Sequence, residues 1–110
     1  MTGETNVVSQ VGVSVSAADG AMFAEYRGLL HGLELAAQFN PERLEIFADS
    51  ELMVRQITGQ YRVKSPDLAP LFQQAQLALL KFDSWQIRHI PRAKNERADR
   101  MANLAMDAKA

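Results

Sequence analysis

The 110-residue sequence contains no cysteine, which excludes disulfide bonds and thiolate metal sites. Its formal net charge is only -1, so the molecule as a whole does not attract a polyanion and any basic surface must be local. No apolar run approaches membrane-spanning length, and the first residues lack the charged-then-apolar order of a signal peptide. These absences predict a cytosolic protein that does not interact with a membrane.

The sequence does have enough apolar material for one small domain. Hydrophobic residues make up 47% of the chain, and its length suits one domain rather than two. We therefore expect residues 1–110 to fold as a single unit around one core.

Three segments have the pattern of β-strands. In the first, from Val7 to Ser16, valines alternate with small residues. The second, Arg43–Ala48, is apolar and is followed by an acid, and the third, Trp85–Ile90, alternates and stops at Pro91. Helical segments separate these strands, which favours an α/β fold with a mostly parallel sheet flanked by helices.

Four segments have helical spacing. The first covers about Ala21–Phe39, and the second begins after Ser50, whose hydroxyl can cap it. The third opens at Ser65-Pro66, with Pro70 in its second turn, where it should weaken one backbone bond. The fourth begins after Asn95. Its predicted apolar face consists of Ala98, Met101, Ala102 and Ala105.

Three acids lie on or beside the apolar faces of these elements. Glu25 is on the first helix, Asp49 follows the second strand, and Asp99 lies one turn into the last helix. The carboxyl edge of an α/β sheet is where such folds keep their sites, and the three carboxylates could meet there. Considered singly, each acid has a plainer explanation, because acids near a helix N-terminus are favoured by the helix dipole.

The connector after the second helix carries Tyr61, Arg62 and Lys64. Basic residues beside an aromatic side chain can contact a nucleic-acid phosphate. A solvated loop is the commoner explanation of the same residues, so this pattern alone assigns them no role.

Four regions of the chain together carry a family resemblance. They are Ala24-Glu25-Tyr26-Arg27-Gly28-Leu29 with Gly32-Leu33-Glu34-Leu35-Ala36; Ala48-Asp49-Ser50-Glu51-Leu52; Lys64-Ser65-Pro66-Asp67-Leu68; and Arg88-His89-Ile90-Pro91-Arg92 with 95–105. In this order and spacing they resemble the type 1 ribonuclease H family, from about Val7 to the end of the chain. The resemblance implies a ribonuclease H-like α/β fold.

The resemblance also implies an activity, which is cleavage of the RNA strand of an RNA–DNA hybrid with two divalent cations. Glu25, Asp49 and Asp99 fall on three of the family's four acids and are the predicted catalytic and metal-binding residues. Clustered carboxylates suit hard cations such as Mg²⁺ or Mn²⁺. The predicted contacts to the nucleic acid are Arg62, Lys64, Arg92, Lys94 and Asn95.

The amino end departs from the family pattern. The family's first strand, which carries the fourth acid, and the strand after it have no counterpart here. Asp19-Gly20 is no substitute for that acid, because it lies only a few residues before Glu25. Before the first helix the chain has Gly20-Ala21-Met22-Phe23, where the family usually has a Thr-Asn-Asn-like run that touches the nucleic-acid backbone. The chain is therefore predicted to be one domain that lacks the family's first two strands.

Three hypotheses about function follow. The first is a metal-dependent ribonuclease of reduced activity, because one acid is absent. The second is a non-catalytic nucleic-acid-binding or assembly domain that kept the fold. The third is a remnant without a present function.

The first strand is expected to lie parallel to the second and to leave one edge open. It is rich in β-branched residues, and no Pro or Lys from Asn6 to Ser16 blunts that edge. An open edge recruits another strand, so the sequence predicts a homodimer joined through the first strand.

Overall fold

The structure is a computed structural model that describes residues 7–16, 21–91 and 102–109. Along the chain these residues form β1 (Val7–Val15), α1 (Met22–Ala37), β2 (Arg43–Ala48), α2 (Glu51–Ile57), α3 (Ala69–Leu79), β3 (Trp85–His89) and β4 (Ala102–Lys109). The first six elements have the predicted types and the predicted order. Within these ranges no helix has both the length and the apolar character needed to cross a bilayer.

The strands form one sheet in the order β3-β2-β1-β4. β1 runs parallel to β2, with Val11 opposite Leu44 and Val15 opposite Ala48, and β2 runs parallel to β3. The predicted parallel pairing of the first two strands is confirmed. The carboxyl ends of β1, β2 and β3 therefore lie at one edge of the sheet, where open α/β sheets bind their ligands.

The last element is a strand, whereas a helix was predicted there. β4 pairs antiparallel with β1, from Val7 opposite Lys109 to Val15 opposite Ala102. The predicted helix is therefore wrong over Ala102 and Ala105, even though Ala, Leu and Met favour helices. The segment is a strand because the backbone N–H and C=O groups on the side of β1 away from β2 need hydrogen-bond partners, and β4 supplies them.

This pairing makes β1 an interior strand. Among the described strands, the edges of the sheet are β3 and β4. The prediction that the first strand presents an open edge is therefore wrong. Val11, Val13 and Val15 are fully buried, so their β-branched side chains belong to the core and not to an exposed surface.

One apolar core lies between the sheet and the helices. α1 contributes a continuous stripe, because its buried positions recur at intervals of three or four residues. The largest fully buried side chains of the described residues are Tyr26, Leu29, Leu33, Leu44, Ile46, Met53, Leu79, Val11, Val13 and Val15. This core fixes the starts of α1 and α2 against the carboxyl edge of the sheet.

Local chemistry sets the helix boundaries. The hydroxyl of Ser50 accepts a hydrogen bond of 3.1 Å from the backbone N–H of Met53, which confirms the predicted cap of α2. Asn40, in the turn after α1, has a φ of 46°, a left-handed conformation that asparagine tolerates. α3 begins at Ala69 and not at the predicted Ser65-Pro66, so Pro70 lies in its first turn, and the prediction that it weakens a bond in the second turn is wrong.

Candidate active site

Asp49 and Ser16 emerge side by side from the sheet. Each directly follows its strand, and the register pairs the preceding residues, Val15 and Ala48. The Ser16 hydroxyl donates a hydrogen bond of 2.8 Å to Oδ2 of Asp49, and the Asp49 N–H donates to the Val15 carbonyl at 3.4 Å. Oδ1 of Asp49 is shielded from solvent. The sheet edge therefore holds this carboxylate in place against β1.

Glu25 lies in the first turn of α1 and is only 2% exposed, with its Oε1 shielded from solvent. One turn earlier, the sulfur of Met22 lies 3.5 Å from the hydroxyl of Ser50, so the starts of α1 and α2 are in contact. Glu25 and Asp49 are thus both placed at the carboxyl edge of the sheet. A surface acid at a helix N-terminus would not incur the cost of burial, so the helix dipole alone does not explain Glu25.

The predicted metal ligands are only partly covered by the structure. Four predicted site residues lie outside the described ranges: Asp99, Arg92, Lys94 and Asn95. Within those ranges no three His, Cys, Asp or Glu side chains form a group able to hold a metal. The described donors are Glu25 and Asp49, and two carboxylates suit Mg²⁺, which usually keeps several waters and takes one or two carboxylates. The donor chemistry fits a hard cation.

A buried hydrogen bond joins α1 and α2. The Tyr26 hydroxyl donates to Oε1 of Gln56 at 2.8 Å, and the Tyr26 ring packs edge-on against Phe72 at a centroid distance of 6.4 Å. Burial raises the pKa of Tyr26 well above its ordinary value, so the hydroxyl stays protonated and able to donate. This contact holds α1, which carries Glu25, against α2.

Arg62 and Lys64 are exposed on the segment between α2 and α3. With Tyr61 they form one side of a cleft of about 670 Å³, and the start of α1 and the outer side of α2 form the other. We call it the Phe23–Tyr61 cleft. Its lining residues are Met22, Phe23, Leu52, Gln56, Gln60, Tyr61, Arg62, Lys64, Ser65 and Leu68.

The sequence pattern selects Arg62 and Lys64 but gives no indication of Ser16, Phe23 or Leu52. Ser16 can be found only once β1 is known to lie parallel to and directly beside β2, because that register carries it to Asp49. Phe23 and Leu52 are each 43% exposed, and large apolar residues at helix starts are easily assigned to the core.

A family model described as reverse transcriptase-like matches residues 3–105. The chain therefore belongs to this ribonuclease H-like family, and the predicted family and α/β fold class are confirmed.

Two curated relatives extend this result. Ribonuclease HI of Halobacterium salinarum is 39% identical over 107 residues, which cover 97% of this chain and 53% of that protein. The bifunctional protein Rv2228c of Mycobacterium tuberculosis is 45% identical over 87 residues, which cover 79% of this chain and 24% of that protein. The chain thus spans about half the length of the first relative and a quarter of the second.

Solved structures show the same similarity. The N-terminal RNase H domain of Rv2228c superposes with a TM-score of 0.73 at 28% identity, covering 86% of this chain and 96% of that chain. RNase H1 of Halobacterium salinarum gives 0.74 at 29% identity with the same coverage. LC11-RNase H1, solved in complex with an RNA/DNA hybrid, gives 0.66 at 36% identity, covering 74% of this chain and 62% of that chain.

Proposed function

We propose that this chain is a metal-dependent nuclease domain that cleaves the RNA strand of RNA–DNA hybrids, with reduced activity. The observation that carries the proposal is the placement of two buried or half-buried carboxylates, Glu25 and Asp49, at the carboxyl edge of a ribonuclease H-like sheet. Among its relatives, one is named ribonuclease HI and another was solved with an RNA/DNA hybrid.

In this proposal Glu25 and Asp49 bind Mg²⁺ or Mn²⁺, with Asp99 as the predicted third ligand. The cations, when bound, supply an activated water and stabilise the leaving oxygen. The other described groups orient these carboxylates. Ser16 holds Oδ2 of Asp49, and the buried bond between α1 and α2 keeps the helix of Glu25 in place.

The nucleic acid would be held by local positive charge. Arg62 and Lys64 are exposed on one wall of the Phe23–Tyr61 cleft, and the lining residues that the structure describes include no acid. Such side chains contact phosphates and set position without reading sequence. Arg92, Lys94 and Asn95 are proposed to extend this surface.

A cleavage assay with charge-matched variants tests the proposal. Wild type is incubated with an RNA–DNA hybrid and Mn²⁺, beside the double variant Glu25→Gln/Asp49→Asn. Cleavage should be present in wild type and absent in this variant. The matched control is Glu34→Gln/Asp67→Asn, which removes the same two charges from exposed positions and should cleave like wild type.

The second candidate is a non-catalytic nucleic-acid-binding or assembly domain. It is favoured by Ser16, a neutral residue, beside Asp49, and by the lack, within the described ranges, of any group of three His, Cys, Asp or Glu side chains that could hold a metal. Absence of cleavage together with salt-sensitive hybrid binding would support this candidate and reject the nuclease.

We also propose that the protein forms a homodimer, although not through an edge of β1 that is already open. Because β4 occupies the second side of β1, two copies can join at β1 only if β4 leaves that edge or is exchanged between them. Sedimentation at micromolar concentration tests this proposal, and a monomer mass that does not change with concentration would reject it.

A further inference from the structure

Three of the five large apolar side chains that are exposed in the described ranges line the Phe23–Tyr61 cleft. Phe23 and Leu52 are each 43% exposed and Tyr61 is 50% exposed, and all three line this cleft. Clustered exposed apolar surface generally marks a contact site. The cleft also includes Met22, which touches Ser50, so it begins next to the candidate active site.

The ring of Tyr61 is held in its exposed position by surrounding contacts. The guanidinium of Arg55 lies 5.3 Å from the ring centroid, and the N–H groups of Gln60 and Tyr61 donate to the Arg55 carbonyl at 2.8 and 3.0 Å. Arg55 is itself anchored to Glu51 by an ion pair of 2.6 Å, whose hydrogen bond holds the pKa of Glu51 below its ordinary value. A preorganised aromatic platform of this kind loses little entropy when a flat ligand stacks on it.

The polar groups of the cleft define the ligand further. Gln56 lines the cleft, and its amide oxygen accepts the Tyr26 hydroxyl, so the group that it can offer a ligand is an NH₂ donor. Arg62 and Lys64 supply positive charge, and none of the described residues that line the cleft is acidic. The exposed ring of Tyr61 suits a flat aromatic ring, the Gln56 NH₂ group suits a hydrogen-bond acceptor on that ring, and the positive charges suit an anion joined to it. A nucleotide has all three properties.

We propose that the Phe23–Tyr61 cleft binds an unpaired nucleobase of a nucleic-acid strand, stacked on the aromatic side chains, with its phosphates beside Arg62 and Lys64. Bases within a duplex have both faces covered by their neighbours, so the site requires a single-stranded segment. The cleft volume of about 670 Å³ lies within the range of ligand pockets. This inference rests on the proposed function for its nucleic-acid partner, and it specifies a substrate with an unpaired segment beside the hybrid.

Binding without metal isolates this site from catalysis. The probes are a blunt RNA–DNA hybrid and the same hybrid with a single-stranded extension that carries one 2-aminopurine, both measured in EDTA. Wild type should bind the extended probe more tightly than the blunt one, and the 2-aminopurine fluorescence should be quenched by stacking. Tyr61→Leu keeps an apolar side chain without an aromatic face, so it should weaken binding of the extended probe about tenfold and remove the quenching.

Two controls accompany this variant. Tyr61→Phe keeps the ring and should bind within about twofold of wild type, since stacking needs the face and not the hydroxyl. Leu80→Ala removes an exposed apolar side chain outside the cleft and should leave binding unchanged. Thermal melts of all three variants show whether they are folded.

The outcomes separate this inference from the nuclease proposal. Equal binding of the extended probe by wild type and Tyr61→Leu overturns the cleft inference, whether or not the hybrid is cleaved. Equal affinity of wild type for blunt and extended probes also overturns it. If the hybrid is not cleaved but binding of the extension depends on the Tyr61 ring, the cleft inference stands and the nuclease proposal fails.

Discussion

Ser16, the residue that follows β1, acts directly on the candidate site, because its hydroxyl donates a hydrogen bond to one carboxylate oxygen of Asp49. Ser16→Asp would place a second carboxylate beside the first. Without metal the like charges should lower the melting temperature. With millimolar Mn²⁺ the variant should gain more stability than wild type, because the cation then has two adjacent carboxylates as ligands.

The control for this prediction is Ser14→Asp, which adds the same charge on the same side of β1 two residues earlier. Melting is followed by circular dichroism with EDTA and with Mn²⁺. If both variants show the same metal response, Ser16 does not lie beside a cation site.

Tyr26 gives a second prediction at the residue scale. Tyr26→Phe removes the donor to buried Gln56, so it should lower the free energy of unfolding by roughly 1–3 kcal/mol at neutral pH. The raised pKa of Tyr26 also makes the free energy of unfolding depend on pH. The stabilising contribution of the protonated hydroxyl is fully present below the unfolded tyrosine pKa of about 10 and is lost as pH rises above that value.

The stability of wild type should therefore fall above about pH 10, and Tyr26→Phe should fall less. Urea denaturation at neutral and alkaline pH measures the difference. Leu80→Ala, which alters an exposed side chain that does not titrate, should keep the alkaline slope of wild type. The same slope in wild type and Tyr26→Phe would show that the buried hydroxyl is not responsible.

At the scale of elements, local pattern was sufficient where an element's own residues decide its state. The apolar stripe of α1, the Ser50 cap of α2 and the run Arg43–Ala48 of β2 all have the predicted type. It was insufficient for β4, because Ala102–Lys109 has good helix formers and becomes a strand only by pairing with β1, nearly a whole chain length away. Non-local pairing leaves no periodic trace in such a segment.

A β-branched substitution in β4 should change stability in opposite directions if the segment is a strand or a helix. Ala105→Thr in the middle of β4 introduces a β-branched residue, which should raise the stability of a strand by up to about 1 kcal/mol and would lower that of a helix. The control is Gln73→Thr on the exposed side of α3, which should lower stability. A fall in the denaturation midpoint for Ala105→Thr would contradict the strand.

At the scale of the whole molecule, bound metal should act as a stabilising ligand. Added Mg²⁺ or Mn²⁺ should raise the melting temperature, by roughly 4–8 °C for each kcal/mol of binding free energy. Glu25→Gln should reduce this rise, and Glu34→Gln, at an exposed position of α1, should not. A melting temperature that does not respond to millimolar metal would favour the binding domain or the remnant over the nuclease.

Only part of the candidate site could be predicted from the sequence. Glu25 and Asp49 were selected because they fall on acids of the resembled family, whereas each acid taken singly could be a helix-start acid favoured by the helix dipole. The Phe23–Tyr61 cleft depends on how α1, α2 and the following segment meet, which spacing does not encode. The absence of the family's first two strands stays a prediction.

The pairing of β1 with β4 also affects folding of the chain during its synthesis. β4 leaves the ribosome about ninety residues after β1, so the second side of β1 lacks its partner strand until Ala102–Lys109 has been synthesised. A contact between such distant segments raises the contact order and slows folding. During that interval the nascent chain exposes the unpaired edge of a valine-rich strand. Such edges pair with other chains and promote aggregation, which chaperones counteract.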